Sequence, residues 1–176
     1  MEQVHGIIVF GLNGCGKTTL ARELGRLLGY QHIDAEDYCF EPAEIPYAHP
    51  IPRQTYVPRM LNDIRQQGSF VLSSVPGSYS EELSDLIHCG IFLSVPTELR
   101  LQRIEQRERM RWGSRLCEGG DMYQQHKAFI NFAATRPSLP VEQYAQSLCC
   151  PLLRVDGSRD WRKIAATLAG EVKDLL

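Results

Sequence analysis

The sequence predicts an α/β fold, a doubly wound, mainly five-stranded parallel sheet with helices on both faces. Two observations lead to this class. Five short apolar runs recur along the 176-residue chain, and segments with apolar residues at helical spacing separate them. Such alternation builds parallel sheets, because each helix carries the chain back across the sheet. With 43% hydrophobic residues, the chain is expected to form a single domain, 1–176, around a substantial core.

The elements of the first half can be justified in order. Val4 to Phe10 is a short apolar run rich in β-branched residues, which predicts a strand buried on both faces. Leucines and alanine at helical spacing then predict a helix from Lys17 until Gly29 stops the pattern. Residues 30–33 predict a brief second strand. Residues 40–58 carry five prolines, too many for regular structure, and a helix is expected only behind them.

The second half continues the alternation. The third predicted strand is Phe70 to Val75, the fourth lies within 87–95, and the fifth within 151–155. Asp121 and the glutamine three residues later have the pattern of a capping box, which predicts a helix from there through Ala134. With the connecting helices, these strands complete the predicted parallel sheet.

Composition excludes several classes of function. Nineteen basic and twenty-one acidic side chains give a formal charge of −2, so no general cationic field attracts nucleic acid. No run of about eighteen apolar residues and no basic leader occurs, so a membrane partner is not expected. Six cysteines without a CxxC pair favour free thiols in a reducing compartment. We therefore expect a cytoplasmic protein, either a monomer or a homodimer.

One glycine-rich stretch carries the strongest chemical signal. Gly11-Leu-Asn-Gly-Cys-Gly-Lys-Thr18 fits the P-loop pattern G-x-x-x-x-G-K-[ST] and lies between a predicted strand and a predicted helix. Glycines let successive backbone N–H groups face phosphate oxygens, and the helix N-terminus adds partial positive charge. Lys17 would reach the β- and γ-phosphates, and Thr18 would ligate Mg²⁺. The residues predicted to bind ATP are Gly11, Asn13, Gly14, Cys15, Gly16, Lys17, Thr18 and Thr19.

Features beyond the P-loop narrow the class. The guanine-specifying N-K-x-D pattern of GTPases is absent, and large motor or AAA ATPases need a longer chain. The chain resembles the P-loop kinases of small molecules, which include adenylate, cytidylate and shikimate kinases. It shares with them a P-loop ending in GKTT, an acidic cluster after the second strand, and an arginine-rich region. This resemblance implies an enzyme that transfers phosphate from ATP, with Mg²⁺, to a small-molecule acceptor.

The acidic cluster is Asp34-Ala-Glu36-Asp37. Ligands of open α/β sheets bind beyond the carboxyl ends of the strands, where these side chains would project. Shikimate kinases have D-x-D here, which implies that Asp34 serves Mg²⁺ and that Glu36 or Asp37 contacts the acceptor. We favour Asp37 as the group that orients or deprotonates the acceptor. An ordinary helix N-cap with acidic residues in the first turn is the alternative interpretation.

The end of the third strand departs from the resemblance. Many nucleotide kinases have an acidic residue there that holds Mg²⁺ through water, whereas this chain has Ser73 and Ser74. Two interpretations remain open. Either Asp34 takes over the metal role, which we favour, or the protein binds nucleotide with little turnover.

An arginine-rich helix follows the fourth strand. Its arginines step by three or four residues and therefore share one helical face. Ion pairs with glutamates on a solvated surface explain Arg100 and Arg103. Nearer Gly113, the arginines suit a transferring phosphoryl group, because planar guanidinium groups bind its oxygens in pairs. The predicted catalytic arginines of this lid, which spans about 107–120, are Arg107, Arg111 and Arg115.

The acceptor site is predicted less specifically. A segment of about 38–68 occupies the acceptor position, and its aromatic and basic side chains suit a nucleoside, a nucleotide or another small metabolite. The predicted acceptor-binding residues are Asp37, Arg53, Tyr56 and Arg136, and the segment also contains Tyr47, His49 and Arg59. Gly157, after the fifth strand, is placed at the adenine edge. Two other hypotheses are a nucleotide-binding regulatory protein with little turnover and a kinase of nucleic-acid ends.

Overall fold

A computed structural model of the chain describes residues 4–44, 48–75 and 80–176. Its five strands form one sheet in which every neighbouring pair is parallel. The strands are β1 (Gly6–Phe10), β2 (Gln31–Asp34), β3 (Phe70–Ser74), β4 (Ile87–Ser94) and β5 (Leu152–Asp156). Their spatial order is β2-β3-β1-β4-β5, which places β1 in the centre of the sheet.

Helices cover both faces of this sheet, which confirms the predicted fold class. They are α1 (Lys17–Leu28), α2 (Glu36–Cys39), α3 (Arg53–Gln67), α4 (Glu81–Asp85), α5 (Thr97–Trp112), α6 (Tyr123–Thr135), α7 (Leu139–Ser147) and α8 (Trp161–Leu175). A 3-10 turn, Gly113–Leu116, continues α5. Within the described ranges, no helix is both long and apolar enough to cross a membrane.

The side chains of β1 alternate between two apolar cores. Ile7 and Val9 pack on the face covered by α1 and α8, and Ile8 and Phe10 on the face covered by α3 and α7. All four are fully buried. A strand covered on both sides has no polar alternation, which is why its sequence is a continuous apolar run.

Helix α3 starts earlier than the proline content suggested. It begins at Arg53, directly after Pro52, so the prediction that 40–58 lacks regular structure is wrong for its last six residues. Pro58 lies inside the helix, where it removes one backbone donor. Burial of Met60 and Ile64 against the sheet outweighs that loss, because both are fully removed from water.

The capping-box prediction for α6 is also wrong. The helix begins at Tyr123, its N-cap residue is Met122, and no side chain caps it. Asp121 accepts hydrogen bonds from Arg115 instead, at 2.9 Å from Nε to Oδ1. A nearby guanidinium group competes better for this carboxylate than a backbone N–H does, since an ion pair adds charge attraction to the hydrogen bond.

The sheet brings the predicted functional segments to one edge. Phe10, the last residue of β1, pairs with Ser74, and Asp34, the last residue of β2, pairs with Ser73. The carboxyl ends of these parallel strands therefore lie side by side. The P-loop and the acidic cluster both leave the sheet there, as expected for a ligand site of an open α/β sheet.

Candidate functional site

The P-loop has the backbone geometry that its glycines permit. Gly14 and Gly16 have φ angles of +81° and +96°, which side chains other than glycine rarely adopt. Space is limited as well, because a Cβ added to Gly14 would lie 2.5 Å from the carbonyl oxygen of Arg100. Gly16 directly precedes α1, so the loop leads into the positive end of that helix.

Lys17 and Thr18 begin α1 on the inner side of this loop. Lys17 is 8% exposed, and its ammonium group donates a hydrogen bond to the carbonyl oxygen of Leu12 at 3.2 Å. Thr18 Oγ1 donates to Asp34 Oδ2 at 2.8 Å. Two oxygen ligands, one from α1 and one from β2, therefore meet beside the P-loop, in a donor set that suits Mg²⁺.

The carboxylates of the acidic cluster face different neighbours. Asp34 Oδ1 accepts a hydrogen bond from the backbone N–H of Glu36 at 3.1 Å, so this side chain also contacts the first residue of α2. Burial lowers the pKa of Arg136, and the charge of Glu36 opposes that effect. Burial and the charge of Asp34 raise the pKa of Asp37, while His32 lowers it. The charge of Glu36 therefore acts on Arg136, and the acceptor role of Asp37 stays a prediction.

Arg136 reaches the P-loop from the end of α6. Its Nη1 donates to the side-chain oxygen of Asn13 at 2.8 Å, and its guanidinium carbon lies 5.3 Å from the centroid of the Phe132 ring. The chain between these two residues is long, so only the fold brings them together. A guanidinium group held at a P-loop residue is well placed to contact phosphate oxygens.

Arg100 and Arg103 do not lie on a solvated surface, and that prediction is wrong. Arg100 is 2% exposed and donates from Nη1 to the carbonyl oxygen of Asn13 at 3.0 Å. Arg103 donates to the carbonyl oxygens of Cys15, at 3.3 Å, and of Gly157, at 2.9 Å. The strand order could have located these arginines. Because β4 leads into α5 and β4 neighbours β1, the first turns of α5 must lie beside the P-loop.

The predicted lid arginines all have partners. Arg107 pairs with Glu108, at 2.9 Å between Nη2 and Oε1, and Arg111 stacks on Trp112. Arg115 also lies 5.1 Å from the centroid of the Trp112 ring, and it pairs with Asp121 and Glu44. An open depression of about 410 Å³ runs along α5 and is lined by Arg103, Gln106, Arg107, Met110 and Arg111. Arg107 and Arg111 thus share a surface with Arg103, whereas Arg115 contacts the acceptor segment through Glu44.

The acceptor residues are not all brought together. A second depression, of about 300 Å³, lies at the outer edge of β2 and is lined by His32, Ile33, Asp34, Asp37, Tyr38, Arg59, Asp63 and Gln67. Arg53 and Tyr56 are outside this lining; Arg53 is exposed, and burial raises the pKa of Tyr56 to about 12. His49 is exposed as well. Tyr47 lies outside the described residues.

Gly157 lies next to the P-loop, as the predicted adenine position requires. Its backbone N–H donates to the carbonyl oxygen of Ser94 at 2.9 Å, at the end of β4. A Cβ added to Gly157 would lie 2.8 Å from the side chain of Val95 and 3.3 Å from the carbonyl oxygen of Cys15. The contact with adenine itself stays a prediction.

Comparison with known proteins identifies the family. Residues 7–119, more than half of the chain, match the family described as AAA domain. The chain belongs to this family. The matched part of this AAA-domain protein extends from β1 through the P-loop, the acidic cluster and α5 into the lid sequence. The expectation that AAA ATPases need a longer chain therefore does not distinguish this chain from proteins described as AAA domains.

One relative and three solved structures illustrate the similarity. The uncharacterized protein YqaC of Bacillus subtilis (strain 168) is 25% identical over 163 residues, which cover 85% of this chain and 87% of that protein. Deoxyadenosine kinase from M. mycoides with bound dATP is 16% identical with a TM-score of 0.61, over 96% of this chain and 99% of that one.

Shikimate kinase from Acinetobacter baumannii in complex with shikimate is 18% identical, over 98% of this chain and 94% of that one, with a TM-score of 0.57. A sugar kinase from Janibacter sp. HTCC2649 is 15% identical, over 97% and 95%, with a TM-score of 0.56. At these identities the likeness establishes the fold, which is that of P-loop kinases. The resemblance inferred from the sequence is confirmed at this level.

Proposed function

We propose that the protein is an ATP- and Mg²⁺-dependent phosphotransferase that moves the γ-phosphate of ATP to a small-molecule acceptor. The observation that carries the proposal is the grouping of Lys17, Thr18, Asp34 and Arg136 around one P-loop. Such a group supplies cations for phosphate oxygens and oxygen ligands for a metal ion. Phosphoryl transfer depends mainly on positioning and on stabilising charge, which these groups provide.

The P-loop residues have separate roles in this proposal. Lys17 exchanges the carbonyl oxygen of Leu12 for the β- and γ-phosphates, because an anionic oxygen is the stronger partner for an ammonium group. Thr18 and Asp34 would hold Mg²⁺, which supplies positive charge at the phosphate oxygens when bound. Asp34 pairs in register with Ser73, so a carboxylate from β2 replaces the acidic residue that β3 lacks.

The acceptor is proposed to bind between the acidic cluster and the segment of about 38–68. Asp37 is proposed to orient or deprotonate the acceptor, and Glu36 is the alternative carboxylate. Arg53 and Tyr56 at the start of α3 would contact the acceptor. The lid, about 107–120, would close with Arg107, Arg111 and Arg115 over the substrates. A nucleoside, a nucleotide or another small hydroxylated metabolite is the proposed acceptor class.

The test is acceptor-dependent consumption of ATP. Purified protein is incubated with ATP, Mg²⁺ and single acceptors: nucleosides, nucleoside monophosphates, sugars, hydroxy acids and short oligonucleotides. We expect at least one small molecule to accelerate ADP formation, and Lys17→Ala to abolish that acceleration. Phosphorylation of oligonucleotides alone would replace the proposal by a kinase of nucleic-acid ends.

A second candidate function is a nucleotide-binding regulatory protein with little turnover. The observation that favours it is the end of β3, where Ser73 bonds with His32 and Ser74 donates to the carbonyl oxygen of Val75. Tight binding of ATP without acceleration by any acceptor would support this candidate over the kinase. All six cysteines are free thiols, which supports a reducing compartment such as the cytosol for either function.

A further inference from the structure

The carbonyl oxygens on the outer side of the P-loop are held by cationic side chains. Arg100 donates to the oxygen of Asn13 at 3.0 Å, and Arg103 donates to that of Cys15 at 3.3 Å. In a planar trans peptide the C=O of one residue points opposite to the N–H of the next. Holding these two oxygens outward therefore directs the N–H groups of Gly14 and Gly16 toward the phosphate site.

Arg100 is the more unusual of the two arginines because it is buried and has no counter-ion. Its side chain is 2% exposed, and no ion pair involves it in the part of the chain that the structure describes. Nε also lacks a hydrogen-bond partner there. Burying an unpaired charge is costly, so a residue of this kind calls for a compensating role.

The hydrogen bonds of Arg100 join three separate elements. Nη1 also donates to the carbonyl oxygen of Ala133 in α6 at 3.3 Å, and Nη2 donates to Thr97 Oγ1 in α5 at 3.1 Å. Together with the bond to Asn13, these contacts tie the P-loop to α5 and α6. Ala133 is fully buried and lies three residues before Arg136.

Asn13 is consequently held by both its backbone and its side chain. Arg100 binds its backbone oxygen, and Arg136 binds its side-chain oxygen at 2.8 Å. The same guanidinium group that fixes the P-loop also fixes the last turn of α6, which carries Arg136. Displacing Arg100 would move both partners of the Asn13–Arg136 hydrogen bond.

We propose that Arg100 is a positioning residue that sets the place of Arg136 relative to the P-loop and thereby aims its guanidinium group at the transferring phosphate. This inference rests on the proposed function. Arg100 itself contacts no substrate in it. Its effect on the reaction passes mainly through Asn13 and Arg136, so most of it disappears once Arg136 is removed.

A double-mutant cycle on the full chain tests this dependence. The variants are Arg100→Met, Arg136→Met and the double variant, and the reaction is hydrolysis of ATP to ADP with water as acceptor. We expect kcat to fall about a hundredfold in Arg136→Met and about tenfold in Arg100→Met, with the double variant close to Arg136→Met alone. Affinity for a non-hydrolysable ATP analogue relative to ADP should follow the same pattern, since only the analogue has a γ-phosphate.

Two further variants separate positioning from general effects. Arg26→Met changes an exposed arginine near the end of α1 that pairs with Glu23, so kcat should be unchanged. Arg100→Lys keeps the charge but loses the planar fork that binds three partners, so it should remain impaired. If Arg100→Met does not fold, the cycle with Arg100→Lys gives the answer.

The outcomes are distinct. Effects of Arg100 and Arg136 that multiply in the double variant, or full activity in Arg100→Lys, would overturn the positioning role while leaving the kinase assignment intact. A wild-type protein that neither binds the ATP analogue nor hydrolyses ATP would overturn the proposed function, and this inference with it.

Discussion

At the scale of single residues, Asp34 has two partners that a metal ion would alter. It accepts hydrogen bonds from Thr18 and from the backbone of Glu36. If it holds Mg²⁺, Asp34→Asn should lower kcat and raise the Mg²⁺ concentration needed for half-maximal rate, because an amide binds the ion less well. Nucleotide binding without metal should change little. Rates measured against Mg²⁺ concentration check this, and an unchanged midpoint would reduce Asp34 to a helix cap.

The neighbouring carboxylates allow a matched comparison. The charge of Glu36 affects the pKa of Arg136, whereas Asp37 lines the depression at the edge of β2 together with Asp34. We expect Asp37→Asn to reduce kcat/KM for the acceptor by roughly a hundredfold without shifting the Mg²⁺ midpoint, as for a lost general base. Glu36→Gln should cost much less. The reverse order would give that role to Glu36.

His32 gives a prediction about pH. Burial lowers its pKa from an ordinary value of 6.5, and its Nε2 lies 3.0 Å from Ser73 Oγ. The unfolded chain therefore binds a proton at higher pH than the folded chain, so His32 costs nothing above about pH 6.5 and destabilises the fold as pH falls below that value. His32→Gln should flatten this decline in urea-unfolding free energy. The exposed His49, changed to Gln, serves as the control.

At the scale of elements, the contact between the P-loop and α5 is steric as well as polar. Gly14 combines a φ of +81° with a Cβ position 2.5 Å from the backbone oxygen of Arg100. Gly14→Ala should lower the free energy of unfolding by roughly 1–3 kcal/mol, since neither backbone gives way easily.

Gly170 provides the opposite case for that measurement. It lies in α8 with nothing near its Cβ position, so Gly170→Ala should raise stability by up to about 1 kcal/mol. Denaturant unfolding of both variants checks the pair. Equal changes in the free energy of unfolding would mean that α5 shifts to make room for a Cβ at residue 14 and does not hold the P-loop rigidly.

Elements built from apolar runs were predictable, and elements that depend on distant partners were not. The bounds of β1, β3 and α1 agree with the sequence to within one or two residues, because two-sided burial of a strand and one-sided burial of a helix each leave a strong local pattern. The start of α3 was missed because packing against the sheet overrode its prolines. Arg100 was assigned to solvent because helical spacing does not reveal which face meets the P-loop.

The candidate site follows the same rule. The P-loop could be predicted from its sequence motif, because its phosphate-binding groups all lie within Gly11–Thr18. Contacts of Arg136 with Asn13, and of Arg115 with Glu44, join residues far apart in the chain. Strand order and helix packing determine such pairs. A single sequence therefore yields candidate residues but not the contacts between them.

At the scale of the whole molecule, ligand binding and stability are linked. A ligand that binds only the folded chain stabilises it by about 2.7 kcal/mol at a concentration one hundred times its Kd. We expect a non-hydrolysable ATP analogue with Mg²⁺ to raise the melting temperature of the wild type by several degrees. Lys17→Ala should lose most of this shift at the same concentration. A shift of the same size in both proteins would place the nucleotide away from the P-loop.

The central position of β1 also has a consequence for synthesis of the protein. Residues 6–10 leave the ribosome before the other strands of the sheet, yet the strands that flank them, 70–74 and 87–94, are made much later. Pairings between such distant segments form slowly, and an unpaired apolar strand is prone to aggregate meanwhile. A nascent chain that stops before β4 still lacks one neighbour of β1. Chaperones would therefore be needed most between the synthesis of β1 and the synthesis of β4, while the apolar edge of β1 is unpaired.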